Sequence, residues 1–255
     1  GVTSLVPVIK ALAATDSKYI EMLENIEEIN SNYNTTVLRL DKGNTVSIEV
    51  DEAVEELYRD EFSVSINVAA SYFKNQSGTI LASHQDSENK AWIIKLADSG
   101  KLTVEVFYSP PNGGLRRKVS STSVSPVLTS KDTEFVNFGF SFKEGQVKAY
   151  SLEQELRMNR TKDERGTTEA VPSGQFVGRG AAGTNIVIGG DDDGNSLFQG
   201  SVDNFKMYSK AKSGFPSEGL GTVEDQEAEE DLLIWLRMGD DLRDRIDKTN
   251  RDTES

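Results

Sequence analysis

Hydrophobic residues in the middle of this chain recur at every second position. Phe62, Val64, Ile66 and Val68 alternate with Ser63, Ser65 and Asn67; Trp92, Ile94 and Leu96 alternate with Ile93 and Lys95; Val136, Phe138, Phe140 and Phe142 alternate with Asn137, Gly139 and Ser141. A period of two sets one face of an extended segment on a core and the other toward water or a second layer. A helix does not satisfy it, because helical apolar positions fall three and four apart. Further strand-like runs cover 45–50, 78–84, 102–108, 146–152, 185–190 and 198–208, with turn chemistry between them. Asp41-Lys42-Gly43-Asn44, Asp98-Ser99-Gly100, Pro110-Pro111-Asn112-Gly113-Gly114, Lys143-Glu144-Gly145 and Asp191-Asp192-Asp193-Gly194-Asn195 supply the residues that tolerate tight reversals. Many short strands with almost no helix between them predict an antiparallel sandwich or barrel; strict βαβ alternation is absent.

Outside that region the pattern changes. Residues 1–31 carry Leu5, Ile9, Leu12, Tyr19, Leu23 and Ile26 at alternating spacings of four and three, with Asp16 on the same seam. This predicts an N-terminal helix that either packs on the following domain or associates with a second copy, as the end of a stalk does. Residues 32–212 form the β-domain and 213–230 an acidic linker. In 231–255 the run Asp231-Leu232-Leu233-Ile234-Trp235-Leu236-Arg237-Met238 leaves three readings open. It is a terminal strand that completes the sandwich, the start of a second copy, or a helix.

Charge narrows the functional classes. The chain has 42 acidic against 28 basic residues in 255, a net charge of −14. Nucleic acids and anionic lipid surfaces are held by cationic patches, so neither is an expected partner. No apolar run approaches the ~18 residues that cross a bilayer, and no stretch reads as a signal peptide. With no cysteine, thiolate nucleophiles, disulfides and cysteine metal sites are excluded. His84 is the only histidine. It ends a strand-like run before Gln85-Asp86 and reads as an exposed structural residue; no Gly-x-Ser-x-Gly elbow exists to partner it.

The order of strand signals resembles the laminin G-like and concanavalin A-like jelly-roll family. Three pieces carry the resemblance. Val37-Leu38-Arg39-Leu40 with Gly43 is followed by Val46-Ser47-Ile48-Glu49-Val50 and the Phe62-led strand. Gly78-Thr79-Ile80-Leu81 then leads to Trp92-Ile93-Ile94-Lys95-Leu96 and a Gly100 hairpin. Last, Ile186-Val187-Ile188-Gly189-Gly190 precedes an acidic loop and Phe198-Gln199-Gly200-Ser201-Val202-Asp203-Asn204-Phe205-Lys206-Met207-Tyr208, similar to the family's closing signature. Within it, Phe198 and Val202 share a face with Phe205 and Met207 only if parity slips near Asp203–Asn204, which predicts a bulge. Gly200 then permits close backbone approach. The resemblance spans roughly 36–210 and implies a mainly β, antiparallel jelly-roll β-sandwich.

It also implies a non-enzymatic binding or adhesion module, secreted or extracellular, that recognises a protein or glycan through rim loops. Candidate ligand-binding residues are Asp86 and Asn89, together with the basic run Arg116, Arg117 and Lys118. Asp191, Asp193 and Asn195 form the most ligand-like loop and suit a hard cation such as calcium. Where the family's usual aspartates precede the adjoining strands, this chain has Lys90-Ala91 and Arg179-Gly180. Three sequons, at Asn34, Asn75 and Asn159, fit an extracellular glycoprotein. One alternative is a structural or assembly role through residues 1–31. Another is a glycan-active hydrolase, whose nearest carboxylate run is Glu49-Val50-Asp51-Glu52-Ala53-Val54-Glu55-Glu56. The Gly178-Arg179-Gly180-Ala181-Ala182-Gly183 sequence precedes a strand and not a helix, so it does not make a dinucleotide-binding turn.

Overall fold

A computed structural model of the protein describes residues 38–40, 44–50, 52–57, 60–70, 76–109, 117–129, 135–161, 177–178, 181, 183–215 and 231–236. All of them belong to one compact unit, Val37–Ser217 with Glu230–Ser255. The predicted helix over 1–31, most of the acidic linker, Arg116, Asn34 and Asn75 lie outside the described residues.

The described elements are β1 (Leu38–Leu40), β2 (Val46–Ile48), α1 (Glu52–Leu57), β3 (Glu61–Ala70), β4 (Ile80–Gln85), β5 (Lys90–Leu96), β6 (Leu102–Ser109), β7 (Arg117–Ser123), β8 (Val136–Lys143), β9 (Gln146–Ser151), β10 (Gln154–Glu155), β11 (Met158–Thr161), β12 (Val177–Gly178), β13 (Ile186–Ile188), β14 (Gly200–Tyr208) and β15 (Leu232–Leu236). They make two antiparallel sheets of a jelly-roll sandwich. One sheet has the order β1-β14-β3-β8-β9-β10, with β15 also on β14; the other runs β11-β7-β6-β5-β4-β13-β2, with β12 on β6.

The alternation explains the core. Phe62, Val64, Ile66 and Val68 of β3 sit opposite Phe142, Phe140, Phe138 and Val136 of β8, so one apolar row meets another on the inner face. Trp92 reaches from the second sheet into that row. Its ring lies 5.9 Å from Phe140 at a steep angle and 6.4 Å from Phe205 in a stacked arrangement. Phe62, Phe138, Phe140, Phe142, Phe205 and Trp92 are all buried. Aromatic rings stabilise such a layer through their large apolar area and through edge-to-face geometry.

The closing strand has the parity slip expected of it. Pairing of β14 with β3 shifts register between Asp203 and Lys206, and Asn204 takes a positive φ of 46°. Asparagine enters that region more readily than most residues. Here its amide is also used twice: Nδ2 donates to Asp203 at 2.9 Å, and Oδ1 accepts the Trp235 indole N–H at 3.1 Å. The bulge thereby anchors β15 to β14. A side chain at Gly200 would collide with the backbone oxygen of Ala69, which explains the glycine there.

One reading needs correction. His84 is fully buried and not exposed. It lies in register with Trp92 on β5 and Ile186 on β13, so it shares the inner face with core residues. Arg117 and Lys118 of the basic run open β7, a full seven-residue strand in which Val119 packs inward opposite Val106. Serine and threonine dominate β7, so its alternation of apolar and polar residues is faint in the sequence.

Candidate functional site

Two polar regions stand on this frame. The first is a rim at one end of the eight-stranded sheet. The β4–β5 hairpin closes with Asp86 N–H donating to the Asn89 carbonyl at 2.9 Å. The loop 191–195 folds back to the same end, where Asp192 N–H donates to the Gln85 carbonyl at 3.2 Å. The structure therefore brings together two of the loops singled out in the sequence.

Their carboxylates are committed locally. Asp86 Oδ1 accepts the backbone N–H of Glu88 at 2.8 Å and that of Asn89. The Asn89 and Glu88 amides hold the Asp86 carboxyl below its ordinary range against slight desolvation. Asp191 Oδ1 accepts Asn195 N–H at 2.6 Å. Asp192 takes two bonds from Asn185, from the backbone N–H at 3.1 Å and from Nδ2 at 3.0 Å. The Asp86 and Asp191 bonds are the turn-forming roles of Asp, whereas Asp192 ties the loop back to the residue that precedes β13. Among the described residues no three Asp, Glu or His side chains gather as a metal-holding group. Asp193 and Asn195 are exposed on this loop.

Beneath the rim lies His84. Burial pushes its pKa down to about 4, opposed by hydrogen bonding to the backbone of Thr184 and Ala181 and by the charge of Asp192. A neutral buried imidazole is a structural group at ordinary pH. On the outer face of the same sheet Lys118 lies 3.6 Å from Glu105, which also takes Lys95 at 3.0 Å. Lys118 is thus part of a three-charge bridge. Asn159 is exposed on β11, an edge strand paired with β7.

The second region was not anticipated. It lies on the outer face of the seven-stranded sheet, where the chain leaves β14 and crosses back over β3, β8 and β9 as a strap, residues 209–215. Ser63 holds the strap twice: its Oγ donates to the Lys210 carbonyl and accepts the Lys212 N–H, both at 2.7 Å. Phe215 ends the crossing. Its ring rests on Gly139, where any side chain would overlap it, and packs edge-on against Tyr150 at 5.9 Å. The backbone N–H of Phe215 donates to the Leu152 carbonyl at 2.9 Å.

Between strap and hairpin is an open cleft of about 270 Å³, lined by Ser141, Lys143, Glu144, Gln146, Lys148, Tyr150, Ala211, Lys212 and Ser213. Three ammonium groups thus line one hollow in a protein of net charge −14. Each is held from outside the lining by a carboxylate. Glu61 lies 3.0 Å from Lys143 and 3.2 Å from Lys210; Glu155 lies 3.4 Å from Lys148; Asp231 lies 3.5 Å from Lys212. Lys212 also sits 4.7 Å over the Tyr208 ring. Burial pushes the Glu61 carboxyl up, but bonds from Lys143, Lys210 and the Ala211 N–H outweigh it and hold it below the ordinary value. Glu61 reciprocally raises the Lys143 ammonium. The side chains of Lys143 and Lys148 remain 57% and 52% exposed.

One signal for this cleft was present in the sequence. Positions 141, 143, 146, 148 and 150 all face outward on one hairpin, so two lysines and a tyrosine share its polar side. The strap's contribution depends on tertiary crossing and leaves no local pattern.

Comparison with known proteins adds similarity of chain trace. No family model matches the chain, and no curated protein sequence does. Among solved structures, a Bacteroides ovatus protein of proposed carbohydrate-binding role aligns at 14% identity and a TM-score of 0.48, over 79% of this chain and 50% of its own. The binding domain of Paraclostridial Mosquitocidal Protein 1 aligns at 12% identity and 0.47, over 71% and 42%. The Ruminococcus gnavus IT-sialidase CBM40, solved with α2,3-sialyllactose, aligns at 10% identity and 0.43, over 70% and 92%. The chain spans about half the length of the first of these.

Proposed function

We propose that this protein is a non-enzymatic, laminin G-like binding module that acts outside the cell and holds a saccharide in the cleft between strap and hairpin. The observation that carries the proposal is the pairing of a solid interior with a polar hollow on a rigid sheet. The inner faces are filled by aromatic and aliphatic side chains, so recognition falls to the surface. The cleft offers hydroxyls from Ser141, Ser213 and Tyr150, an amide from Gln146 and ammoniums from three lysines. These groups match the many hydroxyls of a sugar, which donate and accept at several directions. The cleft's floor is built on β8 and β9 and its wall is a strap tied to Ser63, which fixes much of the geometry before binding and lowers its entropic cost.

Screening the full chain against an immobilised glycan array, followed by amide chemical-shift mapping of a hit, tests the reading. Shifts centred on Lys148, Tyr150 and Lys212 support it. Binding that maps instead to Asp86–Asn89 and Asp191–Asn195 moves recognition to the rim and removes the cleft.

A further inference from the structure

Resting on that reading, we infer that Glu61 is the positioning residue of the cleft: its one carboxylate pins the strap wall to the sheet floor and sets the gap between them. Glu61 opens β3 and stands opposite Lys143 on the end rung of the β3–β8 ladder. Its two oxygens are divided across the cleft. Oε2 lies 3.0 Å from Lys143 Nζ, at the hairpin end of the floor, and Oε1 lies 3.2 Å from Lys210 Nζ, on the strap. The carboxylate also accepts the Ala211 N–H. The Glu61 side chain is 19% exposed against 57% for each lysine, so the carboxylate is the more enclosed member of both pairs.

The strap is held in a way that makes it depend on this pin. Its ends are fixed by backbone bonds, from Ser209 N–H to the Asp231 carbonyl at 2.8 Å and from Phe215 N–H to the Leu152 carbonyl at 2.9 Å. Between them, among the described residues, side chains hold the backbone: Ser63 takes Lys210 and Lys212, and Glu61 takes Ala211. A strand in a sheet is held by a ladder of bonds; a segment held by two side chains is open to local release. Both Ser63 Oγ bonds go to the strap, whereas the Glu61 bonds go to strap and floor alike. Movement of Lys143 therefore turns the group that Lys210 and Ala211 hold. The other cleft lysines pair elsewhere, Lys148 with Glu155 of β10 and Lys212 with Asp231 beside β15, and those pairs leave floor and strap unlinked.

Amide hydrogen exchange of the full chain tests the pin without any saccharide, with Ala211 as the reporter. Glu61→Gln should speed exchange at Ala211 by at least about tenfold beyond any change at Phe138 and Phe140, the scale of one lost bond to a charged group. Lys143→Gln, which alters the floor and not the strap, should speed it roughly threefold, the scale of an exposed ion pair. Lys148→Gln should leave Ala211 as it was. An unmoved Ala211 in Lys143→Gln means that floor and wall are not coupled and overturns the inference. So does a Glu61→Gln change shared equally by Ala211 and the core amides, which marks Glu61 as a general support of the fold. Retention on the glycan array then separates pin from ligand. Glu61→Gln should retain the glycans held by the wild-type chain about tenfold more weakly, because a loosened wall must be ordered on binding. Full retention with a loosened strap shows that the gap does not govern binding and removes the positioning role. If the wild-type chain retains no glycan, the saccharide reading falls, and exchange at Ala211 still decides whether Glu61 sets the gap.

Discussion

The rim and the cleft are both dense in charge, and they use it differently. At the rim the half-buried carboxylates meet amides a few residues away: Asp86 with Glu88 and Asn89 and Asp191 with Asn195 inside their own turns, Asp192 with Asn185 across the short strand β13. In the cleft Lys143 and Lys212 take carboxylates from distant parts of the chain, Glu61 and Asp231, while Lys148 pairs with Glu155 of the neighbouring β10. Charges satisfied within a turn are consumed in shaping it. Charges tethered singly by remote partners keep hydrogen-bonding capacity for a ligand. Density of charge in the sequence is therefore a poor guide to a site; what matters is whether local backbone can absorb it.

The largest expected effect breaks the cleft from beneath. Phe215 is buried and seated on Gly139. Phe215→Ala removes the seat of the strap and should cost about 3 kcal/mol, seen as a melting temperature lower by roughly 6–12 °C. Saccharide binding should go with it, because Ala211, Lys212 and Ser213 lose their position. Gly139→Val should be at least as harmful, since its side chain must occupy the volume of the ring. If Phe215→Ala leaves both readouts intact, the strap does not build the cleft.

A pH series probes the rim. In the unfolded chain His84 protonates near 6.5, whereas in the native protein burial delays protonation to about 4. Between those values the unfolded state binds a proton that the native state refuses. The contribution is complete above about pH 6.5 and declines as pH falls toward 4. By about pH 5 it should amount to a loss of about 2 kcal/mol, from 1.36 kcal/mol per pKa unit. Urea unfolding at several pH values measures this directly. The single imidazole makes the check unambiguous: its native proton resonance should not move between pH 7 and about 5. A resonance titrating near 6.5 would show that His84 is hydrated and the rim less compact than described.

Glu61→Gln comes next, and it sharpens the contrast by removing a remote tether. Glu61 binds Lys143, Lys210 and the Ala211 amide. Its folded pKa is depressed, so its stabilisation is present above the ordinary carboxylate range and fades as pH falls through the native value. The substitution should cost about 1.5 kcal/mol near neutral pH, following the worth of hydrogen bonds to charged groups. An unchanged melting temperature at neutral pH would mean that the ion pairs contribute nothing, as many surface pairs do.

The fold was largely legible from period and punctuation. The strands β3, β5 and β8 follow directly from Phe62–Val68, Trp92–Leu96 and Val136–Phe142, because two-residue alternation is a local signal. The bulge at Asn204 was legible for the same reason: Phe205 and Met207 could reach the core only through a parity slip. β7 escaped because serine and threonine blur the alternation, and His84 because exposure was read from its polarity and not from its register with Trp92 and Ile186. The candidate site was legible only in part. Lys148 and Tyr150 share an outward face that sequence parity reveals. Glu61, Lys212 and Phe215 join them through contacts that span 147 residues or more in the case of Ser63 with the strap, and no local pattern encodes such a crossing.

The smallest effect separates adjacent aspartates on the rim. Asp192 accepts two bonds from Asn185, while Asp193 is exposed at the tip of the same loop. Asp192→Ala should cost about 1 kcal/mol through the lost amide partners, and Asp193→Ala should fall within about 0.5 kcal/mol of zero. Thermal melts of both variants, with and without millimolar calcium, test whether the rim is only architecture. If the wild-type protein melts higher with calcium and Asp193→Ala abolishes the rise, the loop carries a ligand through the carboxylate its own turn leaves unused. The contrast drawn between rim and cleft would then give way to two binding regions at separate sites on one sandwich.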